Sequence, residues 1–292
     1  MKSQKLISLL LIFVLTIGKS KALDETEPLI YRVETTDGNE FIGTIIEETS
    51  DFILLKTETF GELQIRREDI RRMRVVEPKD IRDGTFWPRN PQSTRYFWSP
   101  NGYGLEQGEG YYQNIWISYN QVSYGITNNF SLSAGMIPLF FFDGAPSPVW
   151  IVPKVSIPVK KDNINLGAGM FIGNVFGESN SGFGIAFGSI TLGSPDRNVN
   201  IATGWGYSGG DWANKPVVNI SFMNRISPRV YLISENYLLP ERDFNILVFS
   251  FGGRSIMRNL SLDYSLVVPY VPEWSGFILL PFLGLTVPIS GN

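Results

Sequence analysis

Two residue types are missing from the sequence, cysteine and histidine. Without cysteine the chain forms no disulfide, offers no thiolate to a metal and cannot carry the lipid of a bacterial lipoprotein. Without histidine it has no imidazole ligand for a metal and no catalytic triad with a histidine base. We therefore expect no cofactor and no metal site. We also expect no enzyme, because carboxylates such as Glu235 and Asp263 would have to do all acid–base chemistry alone.

Charges and long apolar runs are also scarce. Charged residues make up 18% of the chain and the net charge is -3, so no nucleic-acid partner is expected. Beyond the N-terminus no apolar run approaches the roughly 20 residues of a spanning helix. The longest, near residues 277–285, is broken by Pro281 and Gly284. A membrane protein without such runs must be a closed β-barrel, since only helices and barrels satisfy every backbone group in lipid.

The first 22 residues have the pattern of a signal peptide for export. Lys2 and Lys5 form a positive start, residues 6–17 are apolar, and Ser20 and Ala22 are small residues before the expected cleavage point. The alternative interpretation is a retained membrane anchor. An exported chain that later enters a membrane as a barrel belongs in the outer membrane of a Gram-negative bacterium.

Residues 27–80 predict a small β domain. Alternating segments at 31–36 and 39–47 flank Asp37-Gly38, which is a strong hairpin signal, and further segments lie at 52–60, 62–65 and 69–76. Five short strands predict an SH3-like barrel, and the spacing of this region resembles Sm-like folds. Residues 81–93 have no regular period, contain Gly84, Pro88 and Pro91, and are interpreted as a linker.

Residues 94–290 predict an antiparallel transmembrane β-barrel of about twelve strands. In residues 199–208, Val199, Ile201 and Trp205 share one face, while Asn200 and Gly204 lie on the other. The segments recur about every 16 residues, as expected of transmembrane strands of about ten residues joined by turns. The polar face is mostly Gly, Ser and Asn, which suits a narrow lumen filled by small groups.

The lengths of the predicted connections alternate between short and long, which is typical of outer-membrane barrels. Short turns would lie in the periplasm and longer loops outside the cell. With a periplasmic N-terminal module and C-terminus, the topology requires an even number of strands, and residues 94–99 (TRYFWS) are assigned as the first of twelve. The predicted short turns are residues 127–129, 160–163, 195–198, 227–229 and 258–259, and the predicted loops are 141–148, 177–182, 209–216, 240–245 and 272–276.

The alternation places a few charges inside the barrel. A charge on the lipid face would cost about 2–4 kcal/mol at the membrane midplane, so the inner face is favoured. One interpretation is a selectivity constriction in a pore. The other is a structural network of ion pairs and hydrogen bonds that fills a closed barrel. The predicted lumen charges are Lys154, Arg225, Glu235, Arg254 and Asp263.

The segments NPQSTRYFWSPNGYGLEQGEGYYQN and VSYGITNNFSLSAG resemble those of a family of exported proteins common in Bacteroidota. The resemblance covers most of the mature chain. It implies an Sm-like front end coupled to an outer-membrane barrel. It transfers no catalytic or binding residue.

The sequence therefore leaves two functional hypotheses. The first is a narrow porin-like channel for small solutes. The second is a non-conducting structural or adhesion barrel, tethered to the cell wall or to a periplasmic partner through residues 27–80. Either protein would have outer-membrane lipid and the barrel-assembly machinery as partners.

Overall fold

The structure, a computed structural model, describes residues 28–138, 146–241, 244–257, 260–272, 276 and 278–290. The predicted signal peptide lies outside these residues. The chain divides into two compact units, one ending at Phe86 and the other beginning at Trp87. Among the described residues, no helix has the length and apolarity needed to cross a bilayer.

Within residues 28–86, five strands form one antiparallel sheet, as predicted; numbered along the chain, they lie side by side in the order four, three, two, one, five. A turn at Asp37-Gly38 joins β1 to β2, with Gly38 in the left-handed region (φ 92°) that glycine adopts without strain. The strands are β1 Ile30–Thr35, β2 Glu40–Glu48, β3 Phe52–Thr57, β4 Gly61–Arg66 and β5 Ile70–Val76, with a 3-10 turn at Arg67–Asp69.

Two further short strands follow, β6 Ile81–Arg82 and β7 Thr85–Phe86, and they pair with each other. The tight turn between them places Asp83 and Gly84 at positive φ. Half of the segment interpreted as a linker is therefore a small hairpin, and residues 87–93 belong to the second unit.

In the described residues from 87 onward, twelve long strands form a closed antiparallel barrel, as predicted. Neighbours in sequence are neighbours in the sheet, and the last strand closes the ring against the first. The strands are β8 Glu109–Ile115, β9 Tyr119–Gly125, β10 Phe130–Met136, β11 Ser147–Lys160, β12 Ile164–Phe176, β13 Phe183–Ser194, β14 Arg197–Ser208, β16 Val217–Ser227, β17 Val230–Pro240, β18 Asn245–Ile256, β19 Ser261–Tyr270 and β20 Leu280–Ser290, with a two-residue strand β15 Asp211–Trp212 after β14.

The outer surface of this barrel carries apolar side chains, which a water-soluble protein would bury. On β14, Val199, Ile201 and Trp205 are exposed, whereas Asn198 and Asn200 are buried. The other strands also expose an apolar outer face, and their buried side chains are serine, asparagine and charged residues together with apolar ones such as Ile233 and Phe282. Water would disfavour such an outer surface and lipid favours it, so the barrel is a transmembrane barrel.

Connections at the two ends of the barrel alternate along the chain. We call the end with connections 126–129, 161–163, 195–196 and 228–229 the turn end, and the opposite end the loop end. The first barrel strand starts and the last one finishes at the turn end, because neighbouring strands are antiparallel. The loop end includes residues 116–118, 177–182 and 209–216.

The prediction of a first strand at residues 94–99 was wrong. These residues form no strand, and their one described bridge joins Arg95 to Pro100 within the same segment. The prediction has one strand between residues 94–99 and the turn at 127–129, whereas the structure has two there, β8 and β9, and the count of twelve is kept. The turn between them holds Trp116 (φ 49°) and Ile117 (φ 67°) in the left-handed region, which is rare for large and β-branched residues.

Candidate functional site: the plugged lumen

Residues 90–105 form a hairpin inside the barrel, which we call the plug. Its first residue, Asn90, donates to the backbone oxygen of Pro195 at the turn end. The plug then reaches Glu235 near the middle of β17 and returns, so that the Tyr103 hydroxyl donates to the carbonyl of Gly193 at the turn end. The plug therefore occupies the turn-end half of the lumen.

The centre of the plug is held by one carboxylate between two guanidinium groups. Asp263 Oδ2 accepts from Arg95 Nη1 of the plug at 2.9 Å, and Asp263 Oδ1 accepts from Arg254 Nε of the barrel wall at 2.6 Å. Arg254 also donates to the backbone oxygens of Gln92 (2.9 Å) and Tyr96 (2.6 Å). This group ties β18 and β19 to the plug.

All three charges of this group are buried, with side-chain exposures of 0–3%. Taking a charge out of water is costly, and a buried pair is maintained only when its remaining hydrogen-bonding atoms are also satisfied. The two terminal nitrogens of Arg95 meet this condition through the Thr286 hydroxyl (2.7 Å), the Gln92 side-chain oxygen (3.0 Å) and plug carbonyls, whereas its Nε has no hydrogen-bond partner among the described residues. The network thus fixes the conformation of the plug as well as its position.

Glu235 binds the tip of the plug through backbone groups. Its carboxylate accepts from the N–H groups of Phe97 (2.7 Å), Trp98 (2.9 Å) and Ser99 (2.9 Å), and also from the hydroxyl of Tyr237. Successive backbone N–H groups that converge in this way form an anion-binding concavity. The carboxylate of the barrel wall is the anion that fills it.

Lys154 contacts the plug on the opposite wall. Its ammonium group donates to the backbone oxygens of Tyr103 (2.5 Å) and Thr94 (3.4 Å), which lie on the two legs of the hairpin. The residue is buried, at 6% exposure. One amine therefore clamps both legs of the plug.

Arg225 lies at the turn end, where the chain enters the barrel. Its guanidinium bonds to the Asp196 carboxylate (3.1 and 3.2 Å) and to the Pro88 carbonyl (2.8 Å), and it lies 4.8 Å from the ring centre of Trp87. This position is outside the group of Arg254 and Asp263. Arg225 holds the segment that leads into the plug.

Glycines of both the plug and the inner wall let the two backbones lie close together. A Cβ atom on Gly102 of the plug would lie 2.4 Å from the backbone oxygen of Asn165, and one on Gly167 of the wall would lie 2.9 Å from that of Asn101. The backbone N–H of Gly102 donates to Thr191 Oγ1 at 2.7 Å. The small residues of the lumen face thus allow two backbones to approach closely.

The five lumen charges predicted from the sequence therefore contact the plug or the segment before it. The structure brings Arg254 and Asp263 together, while Lys154, Glu235 and Arg225 each hold a different part of residues 87–105. Arg95 is not among the predicted lumen charges, because the prediction places residues 94–99 in the barrel wall. The run of polar and aromatic residues there gave no signal that separates a wall strand from a segment enclosed by it.

Beyond the plug lies a cavity of about 530 Å³. Its floor is the plug tip, including Phe97 and Trp98, and its walls include Tyr119, Phe171 and Phe282 of the barrel. No group of three acidic, cysteine or histidine side chains that could hold a metal occurs in the described part of the chain.

No family model and no curated protein sequence matches this chain. Three solved structures are similar to it in fold. A KdgM porin gives a TM-score of 0.44 at 8% identity, with 61% of this chain and 98% of the porin covered. A KdgM porin in complex with disordered oligogalacturonate gives 0.43 at 8% identity, covering 61% and 96%. A NanC porin gives 0.40 at 12% identity, covering 63% and 98%. At these identities the likeness concerns the fold alone.

Proposed function

We propose that this protein is a porin-like barrel of the outer membrane whose route for small solutes is closed by its own plug. The observation that supports the proposal is the enclosed hairpin with its buried anchors, Lys154, Glu235 and the group around Asp263. Such a barrel conducts only when the plug moves away from part of the wall. In this proposal, the state with the plug in place is the closed one.

The proposed orientation places the turn end, the N-terminal module and the C-terminus in the periplasm. It follows from the usual pattern in outer-membrane barrels, in which turns face the periplasm and longer loops face the outside. The cavity beyond the plug then faces the cell exterior. Labelling of single cysteines placed in the two ends of the barrel would test this orientation, because the natural chain contains no cysteine.

The alternative is a non-conducting barrel that displays its loops and tethers itself through residues 27–80. The buried bonds that hold the plug would also suit this alternative, since each of them must be broken before the plug can move. A measurement of single-channel conductance separates the two functions.

The test compares single-channel recordings of the wild type and a plug-loosened variant in planar bilayers. Glu235→Gln removes the carboxylate charge at the plug tip, and Lys154→Met removes the amine that clamps the two legs. We expect a silent wild type and discrete conductance steps from the double variant. Glu178→Gln with Lys160→Met, two exposed positions, is the matched control and should remain silent.

A disulfide lock makes the test specific for the plug. The Cβ of a residue at Gly104 would lie 3.0 Å from the Cβ of Ser156 on β11, so Gly104→Cys with Ser156→Cys can link plug and wall after a small shift. In the loosened background, oxidation should stop the conductance and reduction should restore it. Steady conductance of the wild type, or silence of a folded double variant, would contradict the proposal.

A further inference from the structure

The inner face of the barrel changes from polar to apolar between its two ends. On many strands, the inward residue nearer the turn end is polar and contacts the plug or its surroundings, whereas the one nearer the loop end is apolar or small. Strand by strand, with the turn-end residue first, these pairs are Asn165 and Phe171, Thr191 and Ile185, Asn200 and Ala202, Asp263 and Val267, and Thr286 and Phe282. A route for hydrophilic solutes has no need of this apolar half.

Aromatic rings form a continuous wall in the apolar half. The ring of Trp98 on the plug tip lies 4.8 Å from that of Tyr119, which stacks on Trp150 at 4.5 Å, and Trp150 stacks on Phe171 at 5.7 Å. Trp98 remains 44% exposed although it lies within the barrel. Its indole is therefore open to the cavity.

The polar edges of these rings are already bonded within the protein. Gln121 Oε1 accepts from Trp150 Nε1 (3.0 Å) and from the Tyr119 hydroxyl (2.6 Å), and its amide nitrogen donates to Ser123 (3.2 Å). The oxygens of Glu235 are taken by the plug tip and by Tyr237. A few hydroxyls, such as those of Ser131 and Ser265, also line the cavity, but most of its lining is apolar. Ring faces and aliphatic groups therefore make up most of what a ligand would contact, whereas a sugar would need many free hydrogen-bonding partners.

We propose that the cavity is a binding site for an uncharged, planar, ring-bearing small molecule that lies against Trp98. Its volume of about 530 Å³ lies within the range of small-molecule sites, which are mostly apolar with a few polar groups. Aromatic rings add affinity by offset or edge contacts beyond the area they bury. The inference deepens the proposed function, on which it rests, by naming the class of solute.

The experiment measures binding to the full barrel in lipid nanodiscs, which avoids detergent tails that would enter the cavity. The probes are 2-naphthol, a planar two-ring molecule, and maltose, a polar sugar. Saturation-transfer NMR and calorimetric titration, corrected with empty nanodiscs, should show saturable binding of 2-naphthol and none of maltose. Trp98→Ala should weaken 2-naphthol binding about tenfold through the lost ring contact and buried area.

Two further variants control for folding and for non-specific partition. Trp98→Phe keeps a ring and should bind within about threefold of the wild type. Trp205→Ala removes an indole with the same 44% exposure from the outer face and should bind like the wild type. Equal affinity in Trp98→Ala and the wild type, or saturable binding of maltose in place of 2-naphthol, would overturn the proposal.

The outcome is independent of the conductance measurement. Conducting plug-loosened variants without 2-naphthol binding to the wild type would reject the solute class and leave the channel in place. Binding to the wild type together with silent plug-loosened variants would support the site and reject the channel.

Discussion

In the N-terminal unit the side chains with no exposure include Val33, Ile53 and Leu55, whereas in the barrel unit they include Arg254 and Asp263. Both units are antiparallel β structures with alternating side chains. The difference lies in the medium around them. A sheet in water buries its apolar face, while a barrel in lipid exposes that face and must fill its interior with something else. Here the filling is a segment of the same chain, held by buried charges.

Among the changes that test this difference between the two units, the largest loss of stability is expected at Asp263. Asp263→Ala leaves the guanidiniums of Arg95 and Arg254 buried without a carboxylate, which should destabilise the barrel by about 4 kcal/mol. Urea unfolding in lipid vesicles, followed by tryptophan fluorescence, measures this because all seven tryptophans lie at position 87 or later. Asp211→Ala, at an exposed position, should unfold with the wild type. A barrel unaffected by Asp263→Ala would mean that the buried network does not stabilise it.

The corresponding change in the N-terminal unit is Leu55→Ala. It leaves a cavity in an apolar core and should cost about 3 kcal/mol in the stability of that unit. Hydrogen–deuterium exchange of residues 30–76 should accelerate while the tryptophan unfolding curve of the barrel stays unchanged. A shift of both signals together would show that the two units do not unfold independently.

Two isoleucines of nearly equal exposure, one on each unit, test whether the outer surfaces of the two units face different media. Ile201 on the barrel is 49% exposed and Ile46 on the N-terminal unit is 47% exposed. Ile201→Lys places a charge in lipid and should cost about 2 to 3 kcal/mol, whereas Ile46→Lys faces water and should change stability by less than about 0.5 kcal/mol. Equal small effects at both positions would contradict the membrane assignment.

The smallest expected effect concerns Asp37 in the first hairpin. The Thr35 hydroxyl hydrogen bond lowers the pKa of Asp37 below its ordinary value of 3.8. A lowered pKa in the folded state stabilises the unit above pH 3.8, and this contribution is lost as the pH falls through the lowered value. Asp37→Asn should therefore reduce the loss of protection of residues 30–48 on acidification. An identical pH dependence in the variant would reject this role.

The barrel fold was accessible from the sequence because its signal is local. Alternation in residues 199–208 matches β14, and the missing apolar helices left only a closed barrel. The boundaries of the first strands were not accessible. The turn at Trp116 and Ile117 contains no glycine, proline or asparagine, so nothing in residues 109–125 marked two strands in place of one.

The plug could not be predicted from local pattern for a different reason. Arg95 bonds to Asp263 and Thr286, which lie 168 and 191 positions further along the chain. The sequence gives the charges and the inner faces on which they lie, but not which charge meets which. Residues 94–99 are rich in aromatic residues, as strands are, and their enclosure depends on the whole ring around them.

The seam between β8 and β20 has a consequence for biogenesis. It joins the two extremities of the barrel chain, so the ring cannot shut until every intervening hairpin has been made. The plug leads into β8. The same part of the chain therefore both enters the lumen and forms the strand whose pairing with β20 closes the ring. If the ring closed first, the plug would have to enter a barrel that is already complete. The connection of the plug to β8 therefore constrains the order of steps during insertion, with the plug in place before β8 pairs with β20.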